Sequence, residues 1–307
     1  MRYYDSYTDL IGNTPIVRLA NMDFPVGLNV FAKMELMNPG GSIKDRMAKG
    51  LIEAAENSGA LRRGDTIIEA TAGNTGIGLA FVALRKGYQV ILVVPTKFSR
   101  EKHDIMRALG AKVISTPKEE GLEGSFRKIS EIMKENKNVV YLDQFSNMNN
   151  PKIHFETTAA EIYSDLDGQI DYFVAGAGSG GTICGVLKYL KTKNNKVIGI
   201  LADPIGSIMG GGVEKCYSIE GIGNNFMPKT MDMSLIDKIF KVSDEEAFHE
   251  VRELALREGI LAGSSSGAIL AAARKFSKDF PHGNLVVLLP DRGDRYLSKD
   301  IYGVSSG

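Results

Sequence analysis

VAGAGSGGTICGVL, residues Val174 to Leu187, decides how the rest of the chain is read. A short strand-like run enters a glycine loop, and an apolar helical pattern leaves it. Such a loop lets backbone N–H groups approach an anion at a helix N-terminus, where the macrodipole also favours negative charge. Three readings stand at this point. Gly176, Gly178 and Gly181 satisfy G-x-G-x-x-G, and Asp203 closes the next strand 22 residues after Gly181, as a dinucleotide site requires. A cup for a single phosphate and a turn without a ligand are the other two.

Outward from this stretch, short Val- and Ile-rich runs alternate with longer stretches at helical spacing, the pattern of mainly parallel α/β sheets. Strands are expected at TIIEA from Thr66, YQVILVV from Tyr88, AKVIS from Ala111, NVVYL from Asn138, YFVAG from Tyr172, KVIGILA from Lys196 and NLVVLL from Asn284. Helices are expected between them, among them KDRMAKGLIEAAENSG from Lys44, a single helix from Lys152 to Asp165, and DEEAFHEVRELALREG from Asp244. Ser243 and Glu246 fit a capping box, and Gly59, Gly87, Gly110 and Gly259 follow helical patterns as stops. So many strands exceed one small domain. Two lobes are expected, with a break near Asn147 to Pro151 and the site in the cleft between them.

A chain of 307 residues with 37 basic and 37 acidic side chains offers no net field for nucleic acid or an anionic membrane, so the expected partner is a small molecule. Cys184 and Cys216 suggest neither a disulfide framework nor a zinc site, and the four histidines lack metal-ligand spacing. MRYYDSYTDLIGNTP lacks a basic, apolar leader, and no apolar run approaches the roughly 20 residues of a bilayer span, so a cytoplasmic protein is expected.

A second glycine loop lies in IIEATAGNTGIGLA, residues 67–80, where Thr71, Asn74 and Thr75 set short polar groups beside Gly73 and Gly76. It suits a carboxylate or another anion; a capped helix start is the plainer alternative. Lys44 stands in NPGGSIKDR, residues 38–46. Most helix lysines are simply exposed. Near a phosphate cup, however, a lysine is what a carbonyl cofactor with one phosphate requires, and that cofactor is pyridoxal 5'-phosphate.

Taken together, these residues resemble the cysteine synthase (O-acetylserine sulfhydrylase) and cystathionine β-synthase family of fold-type-II pyridoxal phosphate enzymes. The resemblance runs in family order from LIGNTPIVRL near the start to GDRYLS near the end. It implies a two-lobed α/β architecture of the tryptophan synthase β-like kind, with a smaller mobile substrate-binding lobe at 36–147, a larger phosphate-binding lobe at 1–35 and 148–307, and a homodimer. By the same resemblance Lys44 is the Schiff-base lysine, and Thr71, Ala72, Gly73, Asn74, Thr75 and Gln144 hold the substrate carboxylate. Asn74 also faces the cofactor's ring hydroxyl. Gly178, Ser179, Gly180, Gly181 and Thr182 form the phosphate cup, and Gly221 to Gly223 line the site opposite the ring. The dinucleotide reading falls, because it leaves the TAGNTG loop, Gln144 and Lys44 without a task.

The implied chemistry is β-replacement or β-elimination on L-cysteine, O-acetyl-L-serine or L-serine through an aminoacrylate, with sulfide as leaving group or nucleophile, or with a thiol or water adding. Lys44 is the base. Ala72 stands where cysteine synthases commonly carry serine, and VPTKFSREK is closer to bacterial members that make cystathionine from O-acetylserine or process cysteine. Asp232 is expected at the mouth of the site as a base for the second half-reaction. Asp291 is expected at the pyridine nitrogen, where the family often offers serine or threonine. These departures favour a sulfide-releasing or thiol-using variant. A serine or threonine dehydratase and a non-catalytic regulatory scaffold are the alternatives.

Overall fold

The computed structural model describes residues 1, 3–71, 73–96 and 98–304. Among them, strands β1 (Ile16–Arg18), β2 (Leu28–Lys33), β3 (Thr66–Ala70), β4 (Gln89–Pro95), β5 (Lys112–Thr116), β6 (Val139–Tyr141), β7 (Tyr172–Gly176), β8 (Ile198–Pro204), β9 (Lys238–Val242) and β10 (Gly283–Leu288) form two sheets. One has the order β1-β2-β10-β7-β8-β9 and is parallel except for the β1–β2 pair; the other, β5-β4-β3-β6, is parallel throughout. Between and around them run α1 (Lys44–Asn57), α2 (Asn74–Ala83), α3 (Arg100–Ala108), α4 (Gly121–Glu135), α5 (Asn149–Ile153), α6 (Ala159–Asp165), α7 (Gly181–Lys193), α8 (Asp244–Glu258) and α9 (Ser264–Ser277). The mixed α/β fold with mainly parallel sheets is the one expected, and none of these helices is long and apolar enough to cross a membrane.

Both faces of both sheets are covered, which is why their strands read as continuous apolar runs. On the six-stranded sheet, α8 and α9 cover one face with Ala247, Leu254 and Ile269, while α6 and α7 cover the other with Ile162, Ile183 and Leu187. On the four-stranded sheet, α1 to α3 pack Met47, Ile77 and Met106 on one side, and α4 packs Phe126 and Ile129 on the other. Every residue of α2 from Thr75 to Ala83 is buried. Gly78 is needed there, because a Cβ would lie 2.8 Å from the carbonyl oxygen of Lys44. That close approach fixes the start of α1 against the second glycine loop.

The expected capping box at the head of α8 is present, with Ser243 accepting from Glu246 N and Glu246 accepting from Ser243 N. Three strands, β1, β2 and β9, were not expected. β1 and β9 are edge strands with exposed, charge-bearing patterns, and β2 carries Lys33, whose ammonium is buried only because Glu161 and Asp165 neutralise it at 3.0 and 3.2 Å. The single helix expected from Lys152 to Asp165 is instead α5, a π-helical turn at His154–Thr158, and α6. One extra residue per turn cannot be read from apolar spacing.

Candidate active site

The C-terminal ends of β3, β7 and β10 open onto one cleft of about 930 Å³, the place where α/β sheets present their loops to ligands. Lys44 enters it from the first turn of α1. The preceding loop is held by side chains and by the neighbouring sheet: Asn38 Nδ2 donates to Glu35 Oε2 at 2.8 Å, Gly40 N to Asp45 Oδ2 at 2.6 Å, and Ile43 N to the Pro290 carbonyl at 2.9 Å. Beneath it, Arg46 pairs with Glu35 at 2.8 Å and Glu161 at 2.6 Å, deep enough that the start of α1 cannot shift without breaking charged contacts. Burial alone would raise Glu35, yet Arg46's charge and hydrogen bonds hold its carboxyl below the usual range.

Lys44 itself keeps part of its surface open to the cleft, and no hydrogen bond or ion pair engages its Nζ among the described residues. Desolvation pushes its ammonium down to about 8. At pH 7 about a tenth of such amines are free, against roughly three in ten thousand at the ordinary lysine value. The amine is therefore prepared to attack a carbonyl.

On the β3 side, Thr71 Oγ1 accepts from the backbone N–H of Gly73 at 2.9 Å and of Gly76 at 3.2 Å, which leaves its own hydroxyl hydrogen for the cleft. Thr75 Oγ1 donates to Gln144 Oε1 at 2.7 Å, and Gln144 Nε2 donates to the Ala70 carbonyl at 2.9 Å. Gln144, brought from the segment after β6, is thus oriented by the very loop it faces. Thr71, Gly73, Asn74, Thr75 and Gln144 all line the cleft; Ala72 lies outside the described residues.

On the β7 side, Gly178, Ser179, Gly180 and Thr182 line the cleft where α7 begins, while Gly181 packs outward against Asn150. At its glycines this cradle has no room for side chains: a Cβ on Gly178 would stand 2.7 Å from the Gly221 carbonyl oxygen, and one on Gly181 would stand 2.0 Å from Asn150 Oδ1. Asn150 Nδ2 donates to Ser179 Oγ at 2.9 Å, and His154 Nε2 lies 3.3 Å from Thr182 Oγ1. Burial first, then the charges of Lys44 and Arg46, hold His154 well below the usual imidazole range, so it is neutral. Gly221 and Gly223 line the facing wall, with Gly223 N donating to the Ala177 carbonyl at 2.7 Å. Asp203, the acid a dinucleotide would need, is taken up by Lys241 Nζ at 2.6 Å and Gly210 N at 2.8 Å.

Two expected positions differ. Asp232 is exposed and outside the cleft lining; its carboxylate caps a short turn by accepting from Ser234 N at 3.0 Å and Ser234 Oγ at 2.6 Å. Asp291 is fully buried behind the cleft, with Oδ2 accepting from Asn74 Nδ2 at 2.6 Å and Tyr296 OH at 2.5 Å. The hydroxyl facing the cleft from that quarter belongs to Ser265, at the head of α9. Ser265, Lys102 and Glu220 line the site without having been expected there. The run SSSGA before an apolar helix was the one local signal for Ser265; nothing local marks Lys102 and Glu220, which meet at 2.7 Å across 118 residues of sequence.

The donor set fits a carbonyl cofactor with one phosphate: a free, desolvated amine, a glycine-rich cradle with small hydroxyl side chains at a helix N-terminus, and no competing charge on that cradle's own residues. Residues 7–291 match the family described as pyridoxal-phosphate dependent enzyme. The chain is 50% identical over 296 residues to the O-acetylserine dependent cystathionine beta-synthase of Bacillus subtilis, covering 96% of each chain, and 46% identical over 297 residues to a cysteine synthase of Helicobacter pylori, covering 96% of this chain and 97% of that one. Its fold superposes on a hydrogen sulfide-producing enzyme from Fusobacterium nucleatum with a TM-score of 0.93 and 40% identity, over 96% of this chain and all of that one. The chain belongs to the pyridoxal-phosphate dependent enzymes, and pyridoxal 5'-phosphate is its cofactor.

Proposed function

We propose that this enzyme performs β-replacement and β-elimination on L-cysteine or O-acetyl-L-serine, with L-serine as a further donor and sulfide, a thiol or water as the leaving or entering group. The observation that carries this is the meeting, in one cleft, of a free Lys44 amine, the Thr71–Thr75 loop with Gln144, and the cradle at the head of α7. Bound there, the cofactor supplies an electron sink for charge developing at the amino acid's Cα. Lys44 would hold the cofactor through Nζ, and its amine, once released, would take the proton from the substrate Cα and, in replacement, return it there. Thr71, Gly73, Thr75 and Gln144 would hold the substrate carboxylate, Asn74 would meet the ring hydroxyl, and Ser265, rather than the buried Asp291, would meet the ring nitrogen. The backbone of Gly178 to Gly181 and the hydroxyl of Thr182 hold the phosphate. Asp232, capping its own turn, has no part in the chemistry.

The relatives' names favour sulfide release or thiol use: one is O-acetylserine dependent and makes cystathionine, another produces hydrogen sulfide. The test is product analysis with L-cysteine alone, L-cysteine plus an amino-acid thiol, and O-acetyl-L-serine plus sulfide. Amino-acid or thioether products with sulfide uptake or release are expected. Pyruvate and ammonia from O-acetyl-L-serine or L-serine, with no sulfide released from L-cysteine and no sulfide or thiol incorporated in any mixture, would replace this reading with a deaminase, and no turnover of any donor by cofactor-loaded protein would remove it.

A homodimer is also part of the proposal. Residues 3–10 lie on α2, with Tyr7 edge-on to Phe81 at 5.5 Å and Arg85 donating to the Asp5 carbonyl at 2.7 Å. Tyr3, Tyr4, Tyr7 and Leu84 nevertheless stay more than half exposed, an apolar patch that a second copy would cover. Sedimentation tests it, with a monomer at micromolar concentration as the adverse result. The smaller lobe at 36–147 is taken to move against the rest, which substrate-dependent scattering would reveal, and a cytoplasmic location is part of the same reading.

A further inference from the structure

Asn74 brings to the cleft an amide whose two ends are already engaged. Nδ2 donates to Asp291 Oδ2 at 2.6 Å, and Oδ1 accepts from Arg295 Nη1 at 2.9 Å. A carboxylate only accepts and a guanidinium only donates, so the amide has one permitted orientation. Flipping it would set N–H against guanidinium and carbonyl against carboxylate.

Both clamps are themselves fixed. Asp291 is 0% exposed and Arg295 5%. Arg295 Nη2 also donates to the Gly40 carbonyl in the loop before Lys44. Asp291 Oδ2 accepts a second hydrogen bond from Tyr296 OH; that oxygen accepts from Lys102 Nζ at 3.0 Å, and Lys102 Nζ pairs with Glu220. The phenol of Tyr296 stays protonated, since burial and then Asp291 push it well above its ordinary value. Asp291 is thus neither a surface cap nor a group facing the cleft, and its buried charge is otherwise costly.

We propose that Asp291, together with Arg295, is a positioning residue that locks the Asn74 amide and so keeps its second N–H available to an anionic oxygen bound in the cleft, which for this cofactor is the ring hydroxylate. This rests on the placement of the ring beside Asn74 proposed above.

The test uses cofactor-loaded protein without substrate. In Asp291→Asn, which can present either an oxygen or an NH2 to Asn74, the pH midpoint of the cofactor's visible absorption change is expected to rise by about one unit, and the Kd for pyridoxal phosphate to rise about tenfold. Tyr296→Phe, which keeps the Asn74–Asp291 contact, is expected to show less than half that shift; a merely structural role would leave the midpoint unmoved in both. An unchanged midpoint and Kd in Asp291→Asn would overturn the proposal. Should that variant not fold, the wild-type protein without cofactor decides. The Asn74 side-chain amide protons, assigned through Asn74→Asp, should exchange at least about tenfold more slowly than those of exposed Asn195. Equal rates would overturn the proposal. Normal turnover with an unmoved midpoint removes this inference alone, whereas the expected spectra without turnover of any donor remove only the reaction proposed above.

Discussion

The two glycine loops of the cleft turn hydrogen-bond donors towards it by different means. The loop after β7 does so locally: consecutive small residues, a helix start, and neighbours that reach it with short uncharged groups such as Asn150 and Thr230. The loop after β3 depends on distant charged residues, with Asn74 held by Asp291 and Arg295, Gln144 drawn in by Thr75, and Lys102 and Glu220 closing over the top. A phosphate needs a fixed cradle, which backbone supplies cheaply. A substrate that must enter and leave is met by side chains set from several elements.

Lys44 stands between the two loops, and its loss should break both functions. Lys44→Ala is expected to abolish the visible chromophore and lower turnover by at least about 10³-fold, read by absorbance and product formation. Next in size is the charged end. Lys102→Met leaves buried Glu220 with only the more distant, partly exposed Lys299 at 3.9 Å and should cost about 3 kcal/mol in denaturant unfolding, and the double variant with Glu220→Gln should recover most of that. Recovery would sharpen the contrast by showing that the pair serves placement more than stability.

The pH dependence of the cofactor-free protein tests Lys44 from another side. Its folded-state value near 8 lies below the ordinary 10.5, so between those values the unfolded chain binds the extra proton. Stability should therefore rise with pH from about 8 to 10.5, by up to about 3 kcal/mol. Lys44→Met should lack that rise and be the more stable protein at pH 7; parallel unfolding curves for the two would dismiss the desolvated amine.

At the uncharged end, Gly178→Ala drives a Cβ against the Gly221 carbonyl, a backbone atom with little room to yield. A cost of about 1–3 kcal/mol is expected, with weakened cofactor binding seen by equilibrium dialysis. Smallest is Ser243→Ala, which removes the cap of α8 far from the chemistry. It should cost about 1 kcal/mol and leave cofactor affinity alone; a changed affinity there would mean that the two ends of the molecule are less independent than the contacts suggest.

The sequence by itself determined what neighbours in the chain can encode. The alternation of Val- and Ile-rich runs with helical stretches gave the parallel sheets, because strands covered on both faces must be apolar throughout. The capping box at Ser243 was readable because both partners lie three residues apart, and the strand, glycine loop and helix from Val174 onward were readable because the anion cradle is a property of one continuous segment. Lys44 could be given a role only when that segment and TAGNTG were read together. Tertiary structure alone decided the π-turn that carries His154, the edge strands whose pattern solvent has erased, and the fates of the three acids. Asp232 caps its own turn, Asp203 is spent on Lys241, and Asp291 holds Asn74 across 217 residues. In Asp203 and Asp291 two donors converge on Oδ2, and that convergence is a fact of packing, which no spacing along the chain records.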